Sequence, residues 1–377
     1  MMSIWEKEAF FDQQDVIIVG SGFAGLWSAY YLKKKKPQLK ITILEKDPTP
    51  SGASTRNAGF ACFGSLTELM YDIECMGVDK TLALVEMRHT GLRRIKKIFG
   101  KEIDFDLCGG FELFHDEGEE STPDLSENAG YLNALLKPIT GSKSTFQVAN
   151  EHIAPFGFGN TTHMVKNEIE GYLHSGKLLR CLLQKVQGMG VQVFCGIAVN
   201  GFEEGNGKVT INSAGKASFS AARVLVCTNA LAPQLLPEVN IVPARGQVLL
   251  TSPIENLPFK GAFHSDKGFY YFRNLGNRVL LGGARNKAFA EERTSEAATS
   301  PFIQEALERY LAEVILPHAN GSYSIEQRWS GIMGMGAEKT PVVKEVSPAI
   351  YCAIGLGGMG VAAAPVLGKR AAGLLLA

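Results

Sequence analysis

DVIIVGSGFAGLWSAYYL, from Asp15 to Leu32, carries three elements in succession. Val16-Ile17-Ile18-Val19 is short, apolar and β-branched, which predicts a buried parallel strand. Gly20, Gly22 and Gly25 follow in the pattern G-x-G-x-x-G. Leu26, Ala29, Tyr30 and Leu32 then recur at helical spacing. A second strand is expected over Leu39–Leu44, ending at Glu45. Each piece suits a dinucleotide. Gly20 allows a tight turn, Gly22 lets the backbone approach a pyrophosphate, and Gly25 lets the helix pack on the sheet. The helix N-terminus offers N–H groups and partial positive charge to phosphates. Glu45, twenty residues beyond Gly25, can accept hydrogen bonds from ribose hydroxyls and would repel a 2′-phosphate. The stretch predicts dinucleotide binding but does not choose between FAD and NAD.

Composition narrows the class. A chain of 377 residues with 45% hydrophobic content is long enough for two domains with sizeable cores. Lys plus Arg and Asp plus Glu each number 38, so no basic surplus points to nucleic acid or an anionic membrane. The run Lys33–Lys36 is expected to end the first helix, where cations suit the dipole and solvent. No secretory pattern opens the chain and no apolar run is long enough to span a bilayer, so a cytoplasmic protein is expected. The seven cysteines are scattered without a C-x-x-C. That predicts reduced thiols and no metal site.

Further along, Asp47–Gly59 is a small, polar loop whose only cation is Arg56, and its amides and hydroxyls could wrap a large cofactor. Residues 66–100 read as helical and 103–114 as strands, followed by an acidic loop or short helix over 116–130. His174 is expected to be structural. Leu178 to Val186 predicts a helix, then a glycine turn and the strand Val191–Phe194. A small meander over Val199–Phe219 turns at 204–207 and at 214–215. Arg223–Cys227 is a strand leading to Thr228, Asn229 and Ala230, and the carboxyl ends of such strands bind ligands in open α/β sheets. From Ile241 to Gly283 the pattern becomes β-rich, with a hairpin turn over Asn274–Asn277. Ser300–Leu316 reads as a helix. Arg328–Gly336 reads as a flexible glycine-rich segment. Gly355–Gly360 is a second glycine turn that opens the last helix, Val361–Leu376.

Taken together, these pieces resemble the D-amino-acid oxidase (DAO) family of FAD-dependent oxidoreductases, closest to the glycine oxidase and γ-glutamylputrescine oxidase branch. The resemblance rests on the N-terminal fingerprint, GASTRNAGF (52–60), EGYLHSGKLLRCLLQKVQGMGVQVF (170–194), RVLVCTNALAP (223–233), YYFRNLGNRVLLGGARN (270–286) and GLGGMGVAAAPVLGKRAAGLL (355–375), in that order. It implies an α/β (overall α+β) fold. A Rossmann-like FAD-binding domain with a parallel sheet is expected from residues 1–75, 158–242 and 326–377. A mixed or antiparallel-sheet substrate domain with helices would use 76–157 and 243–325.

The resemblance also assigns residues. Gly20, Gly22, Phe23, Ala24, Gly25, Glu45 and Lys46 would hold the ADP half, with Val193 on the adenine side. Ser54, Thr55, Arg56, Asn57 and Ala58 would run along the ribityl chain and isoalloxazine. Thr228, Asn229, Ala230 and Gly331 complete the cofactor set. Gly357, Gly358, Met359 and Gly360 would face the flavin, with the helix dipole steadying negative charge on it.

Glycine-oxidase-like members grip the substrate carboxylate with an arginine two residues after W-x-G. Here Trp329-Ser330-Gly331 is followed by Ile332 and Met333. Arg56, Arg273 and Arg328 are the possible substitutes; Arg56, Tyr270, Tyr271, Arg328 and Met359 are the pocket candidates. No cysteine stands near Met333, so FAD is expected to be non-covalent. The implied reaction is oxidation of a C–N bond of a small amine or amino acid by hydride transfer to FAD. Imine hydrolysis follows, and oxygen or another acceptor takes the electrons. Three alternatives are an FAD-dependent dehydrogenase of a 2-hydroxy acid or glycerol phosphate, a flavoprotein-like RNA-modification or binding module, and an NAD-linked dehydrogenase.

Overall fold

Two eight-stranded sheets meet along a seam, and the chain crosses between them repeatedly. The computed structural model describes residues 2–115, 124–214, 219–319 and 321–377. The acidic stretch expected over 116–130 therefore falls partly outside the described residues, as does Gly215 of the turn expected at 214–215.

The first sheet grows from the opening stretch. β1 (Gln14–Val19) is buried on both faces, as its unbroken apolar run requires. It pairs in parallel with β2 (Ile41–Leu44) on one side and β11 (Phe219–Val226) on the other. β8 (Gln192–Phe194) extends the sheet beyond β2. β18 (Ile350–Ile354) extends it in parallel beyond β11, and β17 (Val342–Ser347) closes that edge antiparallel. β9 (Val199–Gly205) and β10 (Lys208–Ser213) form the expected meander, and β10 pairs antiparallel with β11. The helix Phe23–Lys35 follows the glycine turn, buried almost all round between the sheet and the helices Val78–Phe99 and Gly360–Leu375. The lysine run ends this helix as expected, but Lys33 is buried. Its ammonium donates to the carbonyls of Pro37 and Leu39 at 2.6 and 3.0 Å.

The second sheet runs β16 (Ile325–Gly336), β12 (Ile241–Thr251), β15 (Arg278–Gly283), β14 (Tyr270–Leu275), β13 (Ala262–Ser265), β4 (Gly110–His115), β6 (Thr161–Asn167) and β5 (Phe146–Val148). One face packs on the helix Pro301–Tyr310 through phenylalanines: Phe263 and Phe272 stack at 4.7 Å and 7°. The other face looks across the seam. β3 (Phe60–Ala61) and β7 (Gly171–Tyr172) form a two-stranded pair at one end of it.

The segment read as flexible and glycine-rich is instead the strand β16, paired with β12 along its whole length from Ile325 to Gly336. Its glycines serve close approach. A Cβ at Gly331 would stand 3.0 Å from Cβ of Arg56, and one at Gly334 2.6 Å from Oδ1 of Asn229. No helix among the described residues is long and apolar enough to cross a membrane.

Candidate active site

The glycine turn owes its shape to contacts that no side chain could share. Gly20 has φ +104°, and a Cβ on Gly25 would lie 2.1 Å from the Gly20 carbonyl oxygen. The helix Phe23–Lys35 therefore starts against the end of β1, with Gly22 as an N-cap that supplies no side-chain hydrogen bond. Glu45, buried at the end of β2, accepts from the Ser21 amide at 3.0 Å and from its hydroxyl at 2.6 Å. The carboxylate thus sits against the turn. Lys46 beside it is exposed, and Val193 pairs with Ile43 on the adjoining strand.

The second loop is fastened to this turn. Ser54 Oγ accepts the Phe23 amide at 2.9 Å. The short helix Ala53–Arg56 is closed by Asn57, whose Nδ2 donates to the carbonyls of Ala53 and Ser54. Asn57 Oδ1 accepts from Gly59 N–H and from the Ser175 hydroxyl. Thr55 turns its hydroxyl to the Pro50 carbonyl, and Ala58 is buried against Val248 and Leu280. At the carboxyl end of β11, Asn229 adopts φ +48°. Its Oδ1 accepts the amides of Gly355 and Leu356 at 3.0 and 3.3 Å, which fixes the second glycine turn. Ala230 is buried, and the Thr228 hydroxyl is buried without a hydrogen-bond partner among the described residues. Gly357, Gly358 and Met359 form one 3-10 turn, and the helix from Gly360 starts without a side-chain cap.

The predicted cofactor segments therefore converge on the seam. Two helix N-termini lacking side-chain caps, a glycine cradle that a Cβ would fill and a buried orphan hydroxyl suit a large anionic dinucleotide.

Across the seam, strand register builds the opposing face. Glu112, His264, Tyr271, Gly282, Val248 and Trp329 are successive cross-strand partners and share one face of the second sheet. A Cβ at Gly282 would overlap the Tyr271 ring at 2.5 Å, so the ring lies flat across that glycine. The Tyr271 hydroxyl and the Met333 methyl both approach Gly246, and Met333 sulfur stands near Gly358. Burial pushes the Tyr271 phenol up to about 12 and the His264 imidazole down to about 4. Both groups are neutral near pH 7. Gly282→Ala should displace the Tyr271 ring and lower kcat/KM by about 10–100-fold with FAD retained, measured by steady-state kinetics and the flavin absorption spectrum.

Two pocket candidates do not join this face, because β alternation turns them away. Tyr270 is buried on the opposite side, stacked on Tyr310 at 4.4 Å. Arg328 also points there, donating to Gln304 Oε1 at 2.7 Å and Glu308 Oε1 at 2.9 Å.

Arg56 and Arg273 lie at the seam, but their donors go to the backbone. Arg56 holds the carbonyls of Ser51 and Ser330, and its own carbonyl accepts Trp329 Nε1–H. Arg273 holds those of Gly59 and Leu173 and covers the Tyr172 ring at 4.1 Å. His174 accepts the Lys177 amide and caps the helix Ser175–Gly188, the structural role expected of it.

Sequence reasoning missed Arg285, which follows β15. It is half-buried, and its side chain makes no hydrogen bond or ion pair among the described residues. Its guanidinium lies over Phe289 at 4.8 Å, and burial holds its pKa down against the charge interactions of Tyr271 and Glu292. It stood within the GGARN segment, where only its missing acceptor, visible in three dimensions, distinguishes it.

The comparisons with known proteins agree with this geometry. A family model described as FAD-dependent oxidoreductase, DAO, matches residues 15–374. The chain is 25% identical to a probable oxidoreductase, OrdL, of Haemophilus influenzae, over 97% of this chain and 83% of that one. It is 23% identical to the γ-glutamylputrescine oxidoreductase of Escherichia coli, over 96% and 83%. Among solved structures, L-proline dehydrogenase from P. horikoshii superposes with TM-score 0.74 at 18% identity, over 97% of this chain and 94% of that one. Glycine oxidase from Bacillus cereus superposes with TM-score 0.72 at 17% identity, over 97% and 95%. With residues 15–374 matched by the family model, the chain belongs to the DAO family of FAD-dependent oxidoreductases.

Proposed function

We propose that this enzyme oxidises the C–N bond of a small amine that also carries a carboxylate, an amino acid in the broad sense. The observation that carries this reading is Arg285. A half-buried guanidinium with no acceptor among the described residues, beside Tyr271, is matched by an anionic substrate group. It stands in for the arginine that Met333 replaces. Arg56, Arg273 and Arg328 are all engaged elsewhere.

The glycine turns, Glu45, the loop from Ser54 to Ala58, Thr228 and the turn from Gly357 to Gly360 would hold FAD non-covalently. No cysteine occurs between Ile325 and Tyr351. The sequence-based division into 1–75, 158–242 and 326–377 against 76–157 and 243–325 accompanies this reading. When bound, FAD would supply the hydride acceptor for oxidation at the substrate carbon attached to nitrogen.

The protein's own residues orient and dry the substrate. Tyr271, Met333 and Trp329 present an apolar, aromatic wall that excludes water. Neutral His264 and Tyr271 leave that wall uncharged, which favours the neutral amine from which hydride can leave. Arg285 fixes the acidic end. The imine product then hydrolyses to a carbonyl compound and ammonia or an amine. Oxygen or another acceptor takes the electrons.

Turnover of an amino acid in air, followed by peroxide release, compared with anaerobic turnover with a dye, assigns oxidase or dehydrogenase. Oxidation of hydroxy acids but of no amine by either route would refute the reading.

A further inference from the structure

Behind the pocket wall, two buried groups that take no part in this chemistry meet the ring of His264. β3 and β7 pair with Ala61 opposite Gly171. That register sets Cys62, just past β3, beside Glu170, just before β7. His264 reaches the same point from β13 in the second sheet. One donor atom from each of the three lies within 4.8 Å of the other two. All three are buried, with 1%, 1% and 5% of their surfaces exposed. Nε2 of His264 is buried with no hydrogen-bond partner among the described residues. A buried imidazole nitrogen left unpaired is costly, so this position awaits a partner for its lone pair or an acceptor for its proton.

We propose that Cys62, Glu170 and His264 bind a divalent, zinc-class metal ion that fastens the β3–β7 pair to the second sheet.

The donor types fit. Thiolate, imidazole and carboxylate are the ligands that borderline divalent ions take, at about 2.0–2.3 Å. Such lengths put tetrahedral donors about 3.5 Å apart, so the three need only close by about 1 Å. Glu170 is already aimed: its Oε1 accepts the amides of Phe63 at 2.6 Å and Gly64 at 3.1 Å, the outer hydrogen bonds that orient a ligating carboxylate. The His264 ring is held edge-on by Phe60 at 5.1 Å.

Charge fits as well. The ionisable groups that act on the three from outside are Glu68, Cys108 and Arg273, the last facing Cys62 while its guanidinium is held by the Gly59 and Leu173 carbonyls. Glu68 is itself paired with Arg88 and Lys339. Without a cation, burial keeps the trio uncharged, with the Glu170 carboxyl raised to about 8. On binding, Cys62 and Glu170 each release a proton, and two negative charges meet a dipositive ion. The loaded site is again neutral, which a dry environment demands.

The test uses the flavin-loaded enzyme. Metal content as purified is read by mass spectrometry. After chelation and dialysis, Co²⁺ is titrated in as the probe, since its d–d absorption lies to the red of the flavin band. The expected result is one zinc-class ion per chain as purified, saturable Co²⁺ bands at one equivalent, and displacement of those bands by Zn²⁺. Cys62→Ser and Glu170→Gln should keep the flavin spectrum and lose the bands. A wild-type titration without saturable Co²⁺ absorption overturns the proposal, whatever the variants do. So do bands that persist undiminished in both variants. Neither outcome touches the reading of the amine pocket, which is scored by substrate oxidation.

Discussion

Gly25→Ala is expected to purify colourless, having lost most of its FAD, with its thermal midpoint sharply lowered. The added Cβ would stand 2.1 Å from the Gly20 carbonyl oxygen and 3.2 Å from Ile18 Cγ2. The first obstacle is backbone at the end of the central strand, so it cannot move aside as a flexible side chain would. The helix Phe23–Lys35 must lift from the sheet. That opens the contacts of Leu26 and Trp27, both fully buried, and moves the Phe23 amide away from Ser54. Overpacking of this kind costs about 3 kcal/mol or more. The turn that would cradle the pyrophosphate is lost with it. Gly52→Ala is the control, because a Cβ there meets nothing within 4 Å. It should retain full flavin and an unchanged melt. Flavin-to-protein absorbance ratios and thermal melts on the two variants check the prediction.

Arg285→Ala should act on substrate and leave the cofactor in place. Removing a charged partner from a carboxylate costs about 1.5–3 kcal/mol. That corresponds to a fall in kcat/KM of about 10–150-fold for amino-acid substrates, most of it in KM. Binding of benzoate, a non-oxidisable carboxylate read by perturbation of the flavin spectrum, should weaken by a similar factor. Amines without a carboxylate should be little affected. Arg285→Lys should fall between, since lysine keeps the charge and loses the planar fork. Equal losses for both substrate classes would mean that Arg285 supports the fold and does not grip the acid.

What the sequence made legible follows from how local each requirement is. The first glycine turn is written in consecutive residues because strand, turn and helix contacts all fall within Val16–Leu32. The turn at Gly355–Gly360 was also legible, by its place at the end of a strand. The face of a strand was not. Tyr270 and Tyr271 are adjacent aromatics, and only the pairing of β14 with β13 and β15 decides which meets the seam.

Arginines were harder still. Arg56, Arg273, Arg285 and Arg328 carry the same charge, and their difference lies in which carbonyls or carboxylates surround them. β16 was misread because its glycines answer to neighbours far away in the chain, Arg56 and Asn229. Cys62, Glu170 and His264 are separated by 108 and 94 residues, so no spacing could announce them. Lys33 looked like one of four solvated lysines until the Pro37 and Leu39 carbonyls turned in to meet it.

Anaerobic bleaching of the flavin by a panel of amino acids, simple amines and 2-hydroxy acids tests the central claim most directly. At equal concentration, amine substrates bearing a carboxylate should bleach the wild-type flavin absorption fastest, with the corresponding hydroxy acids inert. Bleaching by hydroxy acids or glycerol phosphate, with every amine inert, would contradict the account.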